Sequence, residues 1–360
     1  MKTKPFSKRC VLAASMVMLL LLSGCWDNKD INHRLLPVII AISKSGENYK
    51  VYLKISQSGK SSQKYKIISE TGKSIAHALD KISVNTEDHV DLFHIKMIVF
   101  DRHYAELGMG DTVADFMRVK EISPKTLVII CNEDLMQFFN SVSEGVGSEN
   151  SELYDFFEKN AGLNPQLALT RLWQVYRSTH SFTRDVAIPI VKSSSTTSLD
   201  YEGSAVIRKG KMVGRLSPEE TLLFNAFHGE STQGKVEVMN EASVLIQSNT
   251  IHNKARWIND TPYLSTKLKL KVVLMEMKGE QDITKLEKEL NEQLESRFKK
   301  MIEKLQANHT DLLGMGQYFR TKMPRSRLSE WRTRDFPRLQ FDVRVDTEIE
   351  NSGFLKMPGD

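Results

Sequence analysis

Two hydrophobic periods take turns along this chain, and the points where they change mark its elements. Val38–Ile42 is a continuous apolar run between Pro37 and Ser45-Gly46, the pattern of a buried strand. Tyr49, Val51, Leu53 and Ile55 alternate with Lys50, Tyr52 and Lys54, a strand with one wet face; the two runs form a hairpin across Ser45-Gly46. Gln57–Lys64 is a Ser/Gly/Lys/Gln loop, and Ser74–Ile82 is a helix with Ile75, Leu79 and Ile82 on one stripe. A strand over His94–Phe100 follows, then a helix over Asp101–Leu107 stopped at Gly108 or Gly110, then a helix over Asp111–Val119. Beyond Pro124 come a strand at Thr126–Ile130, a short helix at Glu133–Phe139 and a loop at Ser143–Ser151. Asn164 suits an N-cap and Pro165 a first helical position, so a helix starts there, with Leu169, Leu172, Trp173 and Tyr176 as its apolar face. Asp185–Val191 is a strand.

Lys192–Asp200 interrupts this pattern. Six consecutive Ser/Thr residues and a single large apolar one cannot pack as a core. The segment divides the chain into 25–191, of one or two lobes, a linker at 192–200 and a second domain at 201–360. That domain opens with strands at Ser204–Arg208 and Met212–Leu216 around Lys209-Gly210-Lys211. Ser217-Pro218-Glu219-Glu220 is a capping box for a helix that runs to about His228, with Gly229 as its stop. Lys235–Val238, Ala242–Ser248 and Leu264–Met277 read as strands. Ile283, Leu286, Leu290, Leu294, Phe298, Met301, Ile302 and Leu305 recur at helical spacing, and this long stripe packs on a sheet or against a coiled-coil partner. Leu339, Phe341, Val343, Val345, Thr347 and Ile349 alternate cleanly, a strand that should lie beside Leu264–Met277. The fold class is therefore α+β and multi-domain, with mixed or antiparallel sheets packed with helices.

The amino terminus has a different logic. Lys2, Lys4, Lys8 and Arg9 precede an apolar run from Val11 to Leu22, too short to remain as a membrane-spanning helix. Leu22-Ser23-Gly24-Cys25 closes it, so residues 1–24 form a cleavable export leader and Cys25 is placed for thioether linkage to a diacylglyceryl group. Two acyl chains anchor stably where one binds only reversibly. The alternative is an ordinary leader with a chance cysteine.

Charge and cysteine usage narrow the partners. The formal net charge is +5, but loss of the four basic residues in the leader leaves 46 Lys and Arg against 45 Asp and Glu. That balance makes no nucleic-acid surface. Of the three cysteines, Cys10 leaves with the leader and Cys25 is acylated, so Cys131 has no disulfide partner and reads as a buried small hydrophobe. The sequence contains no GxSxG elbow, P-loop, HExxH or paired CxxC, and no cofactor or metal is expected. His89, Asp91 and His94 could offer metal ligands, although a capping or hydrogen-bonded role is the commoner one. Asp311-Leu312-Leu313-Gly314-Met315-Gly316 is either a structural turn, with Asp311 bonding a nearby amide and Gly314 and Gly316 freeing the backbone, or a partner-binding loop. Trp331 and Phe336 read as core anchors beneath the final strand.

Several of these stretches together resemble the Ger(x)C family, the C subunit of spore germinant receptors in Bacillus-type endospore formers. They are Leu22-Ser23-Gly24-Cys25-Trp26-Asp27 with Asp30-Ile31-Asn32, His94–Phe100, Gly210–Thr221, the Asp311–Gly316 turn, and Trp331 with Phe336. The chain departs at Asn28-Lys29-Asp30, where the family more often carries an arginine–glutamate pair. The resemblance implies a lipoprotein on the outer face of the spore inner membrane, assembled with two membrane subunits, one of them multi-spanning and transporter-like. It implies a non-catalytic role in the response to nutrient germinants, with Cys25 as the lipidation site. The rival readings are a solute-binding lipoprotein of an importer, which needs a cleft between two α/β lobes, and an envelope hydrolase, which needs paired carboxylates or a metal.

Overall fold

A computed structural model of the chain describes residues 34–57, 64–86, 89–144, 153–159, 164–197, 199–229, 235–239, 242–278 and 282–350. In chain order its strands are β1 (Arg34–Leu35), β2 (Pro37–Ser45), β3 (Asn48–Gln57), β4 (Lys64–Gly72), β5 (His89–Val90), β6 (Met97–Asp101) and β7 (Leu127–Cys131). They continue as β8 (Val186–Lys192), β9 (Asp200–Arg208), β10 (Lys211–Leu216), β11 (Lys235–Val238), β12 (Ala242–Ile258), β13 (Thr261–Met277) and β14 (Gln340–Glu350).

The first sheet has eight strands in the order β10-β9-β8-β7-β6-β2-β3-β4. Its centre, β2, β6, β7 and β8, is parallel, and antiparallel hairpins finish both edges. The continuous apolar runs are explained by burial of both faces. Ile40, Ile42, Ile98, Phe100, Val128 and Ile130 pack under the helices Ile75–Asn85, Arg102–Leu107, Gly110–Arg118 and Leu172–His180. Their neighbours Ile39, Ala41, Val99 and Ile129 point the other way, towards Phe138, Phe139 and Phe157.

The second sheet runs β11-β12-β13-β14. β12 and β13 form a long antiparallel hairpin whose turn, Asn259-Asp260, has φ of 46° and 60°, the paired positive values that a tight two-residue hairpin turn requires. β14 lies parallel to β13, with Thr266 opposite Val343, and the helix Ile283–Ala307 makes the crossover. That helix buries Leu286, Leu290, Leu294, Phe298, Met301, Ile302 and Leu305 against the sheet, and no coiled-coil partner is needed to cover the stripe. Glu287 and Glu295 accept hydrogen bonds from the N–H groups of Ile349 and Val345, both at 2.9 Å, so the helix closes the outer edge of β14.

Several elements differ from the sequence-based expectation. β4 pairs with β3 where only a loop was predicted up to Lys64. The strand placed at His94 starts at Met97, because Asp91 caps a turn of 3-10 helix over Leu92–His94. The helix placed at Pro165 starts at Leu172. There the Asn164 side chain accepts the Gln166 N–H and its carbonyl the Leu167 N–H, both at 3.1 Å, a single turn that goes no further; the next residues run beside β7, the Thr170 carbonyl accepting the Val128 N–H at 2.9 Å. β12 continues well past Ser248. The break at Lys192–Asp200 is a connection inside one sheet: β9, from the segment assigned to the second domain, pairs onto β8, and β10 pairs onto β9 to complete the first sheet. Val206 of β9 meets the core of the second sheet while Ala205 and Ile207 meet the core of the first, so the two halves share a wall.

Candidate functional site

The lipobox residues Leu22, Ser23, Gly24 and Cys25, with Trp26 and Asp27, lie outside the described residues, as do Gly145 and Gly147 of the loop expected at Ser143–Ser151. The first described residue, Arg34, donates to the Asp91 carboxylate at 2.6 Å, and the Phe93 N–H donates to the other oxygen at 2.9 Å. Burial opposes that charge, but the Phe93 amide and the Arg34 guanidinium hold the Asp91 carboxyl below the usual range. His89 and His94 are exposed, and among the described residues no three His, Cys, Asp or Glu side chains converge on a metal position.

The turn at Asp311–Gly316 is buried throughout. Asp311 has no solvent exposure, and its carboxylate accepts three hydrogen bonds: from the N–H groups of Met315 at 2.7 Å and Gly316 at 2.8 Å, and from the indole of Trp331 at 2.8 Å. Burial nevertheless pushes its carboxyl up to about 7. Gly314 has φ of +65°, and a Cβ there would stand 2.7 Å from Nε of Arg184. A Cβ on Gly316 would stand 2.6 Å from the Trp331 ring. The residues singled out in the sequence thus meet one another, in an internal clasp.

The clasp ties the two halves together. The Asp185 N–H donates to the Asp311 carbonyl at 2.9 Å, and the Asp185 carboxylate takes Arg332 at 2.7 and 3.2 Å. Arg332 also donates to the carbonyls of Ser181 and Arg184. A wide π-type turn, closed by the Phe336 N–H on the Trp331 carbonyl, turns Trp331, Arg332 and Asp335 inward together. Asp335, fully buried, is held by Arg327 and Arg338, and Arg327 reaches on to Asp260 at 2.6 Å while lying 4.1 Å over the Trp257 ring. The sequence carries no local signal for these pairs.

Beside the clasp opens a cleft of about 670 Å³. One wall is the stretch Arg177–Arg184 of the first half; the other comes from Gln317 to Leu328 of the second. Thr183 and Gln317 hydrogen-bond across its floor. Among the described residues four arginines line it, Arg177, Arg184, Arg320 and Arg325, and no acidic residue does. Burial and the charge of Arg184 both lower the basicity of Arg177. Behind Arg177 and Arg184 a small cavity of about 40 Å³ reaches His228, whose pKa burial lowers to about 4, so this ring is neutral and does not add to the charge. The arrangement can hold an anion. Cys131 has no part in it: buried in β7, its thiol is pushed up to about 12 by burial.

Comparison with known proteins covers almost all of this architecture. The family described as spore germination protein N-terminal domain matches residues 27–193, and the one described as spore germination B3/GerAC like, C-terminal, matches residues 202–353. Among curated proteins, the chain is 21% identical over 290 residues to the spore germination protein GerQC of Bacillus cereus, covering 76% of this chain and 79% of that one. It is 20% identical over 402 aligned positions to the spore germination protein KC of Bacillus subtilis (strain 168), covering 98% of both. The crystal structure of the GerBC protein superposes with a TM-score of 0.57 at 17% identity, over 86% of this chain and 96% of that one, which speaks for a shared fold.

Proposed function

The chain belongs to the Ger(x)C family of spore germination proteins, and from that premise we propose that it is the C subunit of a nutrient germinant receptor, anchored by lipid on Cys25 and without catalysis of its own. It would sit on the outer face of the spore inner membrane beside two membrane subunits, one multi-spanning and transporter-like. The observation that carries the anchor is Leu22-Ser23-Gly24-Cys25 at the end of a basic and then apolar leader, with the N-terminal family match starting at residue 27. Among the described residues no helix is long and apolar enough to cross a membrane. Two acyl chains on Cys25 would hold the body at a bilayer stably. Confinement beside the partners raises their effective concentration without strong individual contacts. An importer's binding protein closes two lobes on a hinge; here β8, β9 and β10 weld both matched segments into one sheet, which favours a rigid contact body.

Two measurements test this. Mass spectrometry of the protein from spore membranes is expected to find an amino-terminal diacylglyceryl cysteine at position 25. Cys25→Ala is expected to leave the fold intact and to abolish both membrane retention and the nutrient response. An unmodified amino terminus, or a full response from an unanchored chain, rejects the reading.

A further inference from the structure

We propose that the arginine cleft is a binding site for a phosphate group, carried by a small phosphoester or by the headgroup of an anionic phospholipid. Among the described residues none of Arg177, Arg184, Arg320 or Arg325 pairs with a carboxylate, although elsewhere in the same chain Arg327, Arg332 and Arg338 all do. Like charges gathered without a counter-ion oppose folding, so their arrangement answers to something other than stability. Nε of Arg184 is buried and meets no acceptor among the described residues, which is rare for a buried donor. Arg184 crosses Gly314, where the missing side chain leaves its Nε room, so the turn fixes this arginine from behind. Arg177 is steadied from outside by stacking 4.7 Å over the Trp173 ring.

The chemistry of the ligand follows from the donors. One guanidinium fork satisfies a carboxylate; four forks from opposite walls suit a tetrahedral oxyanion that offers three acceptor oxygens. Phe182, Met323 and Leu328 add an apolar lip to the same cleft, suited to the carbon skeleton of an ester. The volume is within the range of small-ligand pockets. Both halves supply walls, so an occupant would also bridge them.

The test uses the full-length chain in neutral detergent. Inorganic phosphate, glycerol 3-phosphate and dihexanoyl phosphatidylglycerol below its micelle concentration are titrated by calorimetry, with citrate as the carboxylate control. Thermal unfolding is followed in parallel. At least one phosphate probe is expected to bind and to raise the melting temperature. The variant Arg320→Gln/Arg325→Gln, changed at two exposed positions, is expected to melt no lower than the parent and to bind on the order of tenfold or more weakly per arginine lost. Binding of glycerol 3-phosphate identifies a soluble phosphoester as sufficient; binding of the phosphatidylglycerol alone identifies the lipid. The proposal is overturned if no phosphate probe binds, if citrate binds more tightly than all of them, or if the double variant binds like the parent. Loss of the anchor at Cys25 leaves each of these outcomes unchanged, so this site and the lipoprotein reading stand or fall separately.

Discussion

The indole N–H of Trp331 donates to the carboxylate of Asp311 at 2.8 Å, and neither side chain has any exposed surface. The bond joins the turn after the long helix to the segment before the last strand. It explains why a large aromatic with a polar handle stands there and not a phenylalanine: the ring fills the core against Phe319 and Phe336, and the nitrogen satisfies a buried carboxyl oxygen.

Removing that carboxylate leaves three buried donors without an acceptor. Each unsatisfied donor costs about 1–3 kcal/mol, so Asp311→Ala is expected to lower stability by roughly 3–5 kcal/mol. Urea unfolding of the purified protein measures it. A loss under 1 kcal/mol would mean that the clasp contributes little.

The same carboxyl gives the fold a pH dependence of unusual sign for an aspartate. Burial lifts it from 3.8 to about 7 in the folded chain, so between those values the folded state holds a proton that the unfolded state has released. Stability from this group is therefore complete below about pH 4 and is lost as pH rises towards 7. Between pH 5 and 7 the parent should lose about 2 kcal/mol relative to Asp311→Asn, which cannot titrate there. Parallel curves for the two proteins across that range would refute it.

The two glycines of the turn should respond differently. Gly314→Ala forces a side chain into the left-handed region, at about 1–2 kcal/mol, and presses on Nε of Arg184, near the far end of a long side chain that can shift. Gly316→Ala drives a methyl into the Trp331 ring and the Cβ of Thr183, both buried and unable to retreat. It should cost about 3 kcal/mol or more, as overpacking does, and should melt at the lower temperature of the two. The reverse order would contradict the geometry.

Elements built from local periodicity were legible in the sequence. The long helix, the last strand and its pairing beside β13, the capping box at Ser217 and the turn at Asp311 are written in neighbouring residues. β4 was not, because Tyr65, Ile67 and Ile68 are scattered among lysines and give no clear period. The helix start at Leu172 was misplaced because Asn164 and Pro165 make a good local signal that β-type pairing of Thr170 and Arg171 overrides. The arginine cleft was invisible: its members come from two segments well over a hundred residues apart, and a near-neutral total charge conceals a local excess.

Cys131 lies in the central strand β7 and should be chemically silent in the folded protein. Burial places its thiol at about 12, so almost no thiolate exists at pH 8. Iodoacetamide labelling mapped by peptide mass is expected to run at least about a hundredfold slower in the native chain than in urea. Rapid native labelling would show that the strand opens or that the site is not sealed.

The pair Asp185–Arg332 makes the sharpest test of how the two matched segments are joined. Asp185 follows the helix Leu172–His180, Arg332 precedes β14, and they meet in a buried bidentate contact at 2.7 and 3.2 Å. Taking one partner away strands a buried charge, so Asp185→Leu or Arg332→Met alone should cost about 3–5 kcal/mol. Arg332→Met also frees the Ser181 and Arg184 carbonyls that the guanidinium satisfies, and should be the worse of the two. The double variant replaces both charges by apolar groups and should recover about 2 kcal/mol or more of the summed losses in a double-mutant cycle by denaturant unfolding. Strict additivity would show that the two residues fold independently and that the bridge between the halves lies elsewhere.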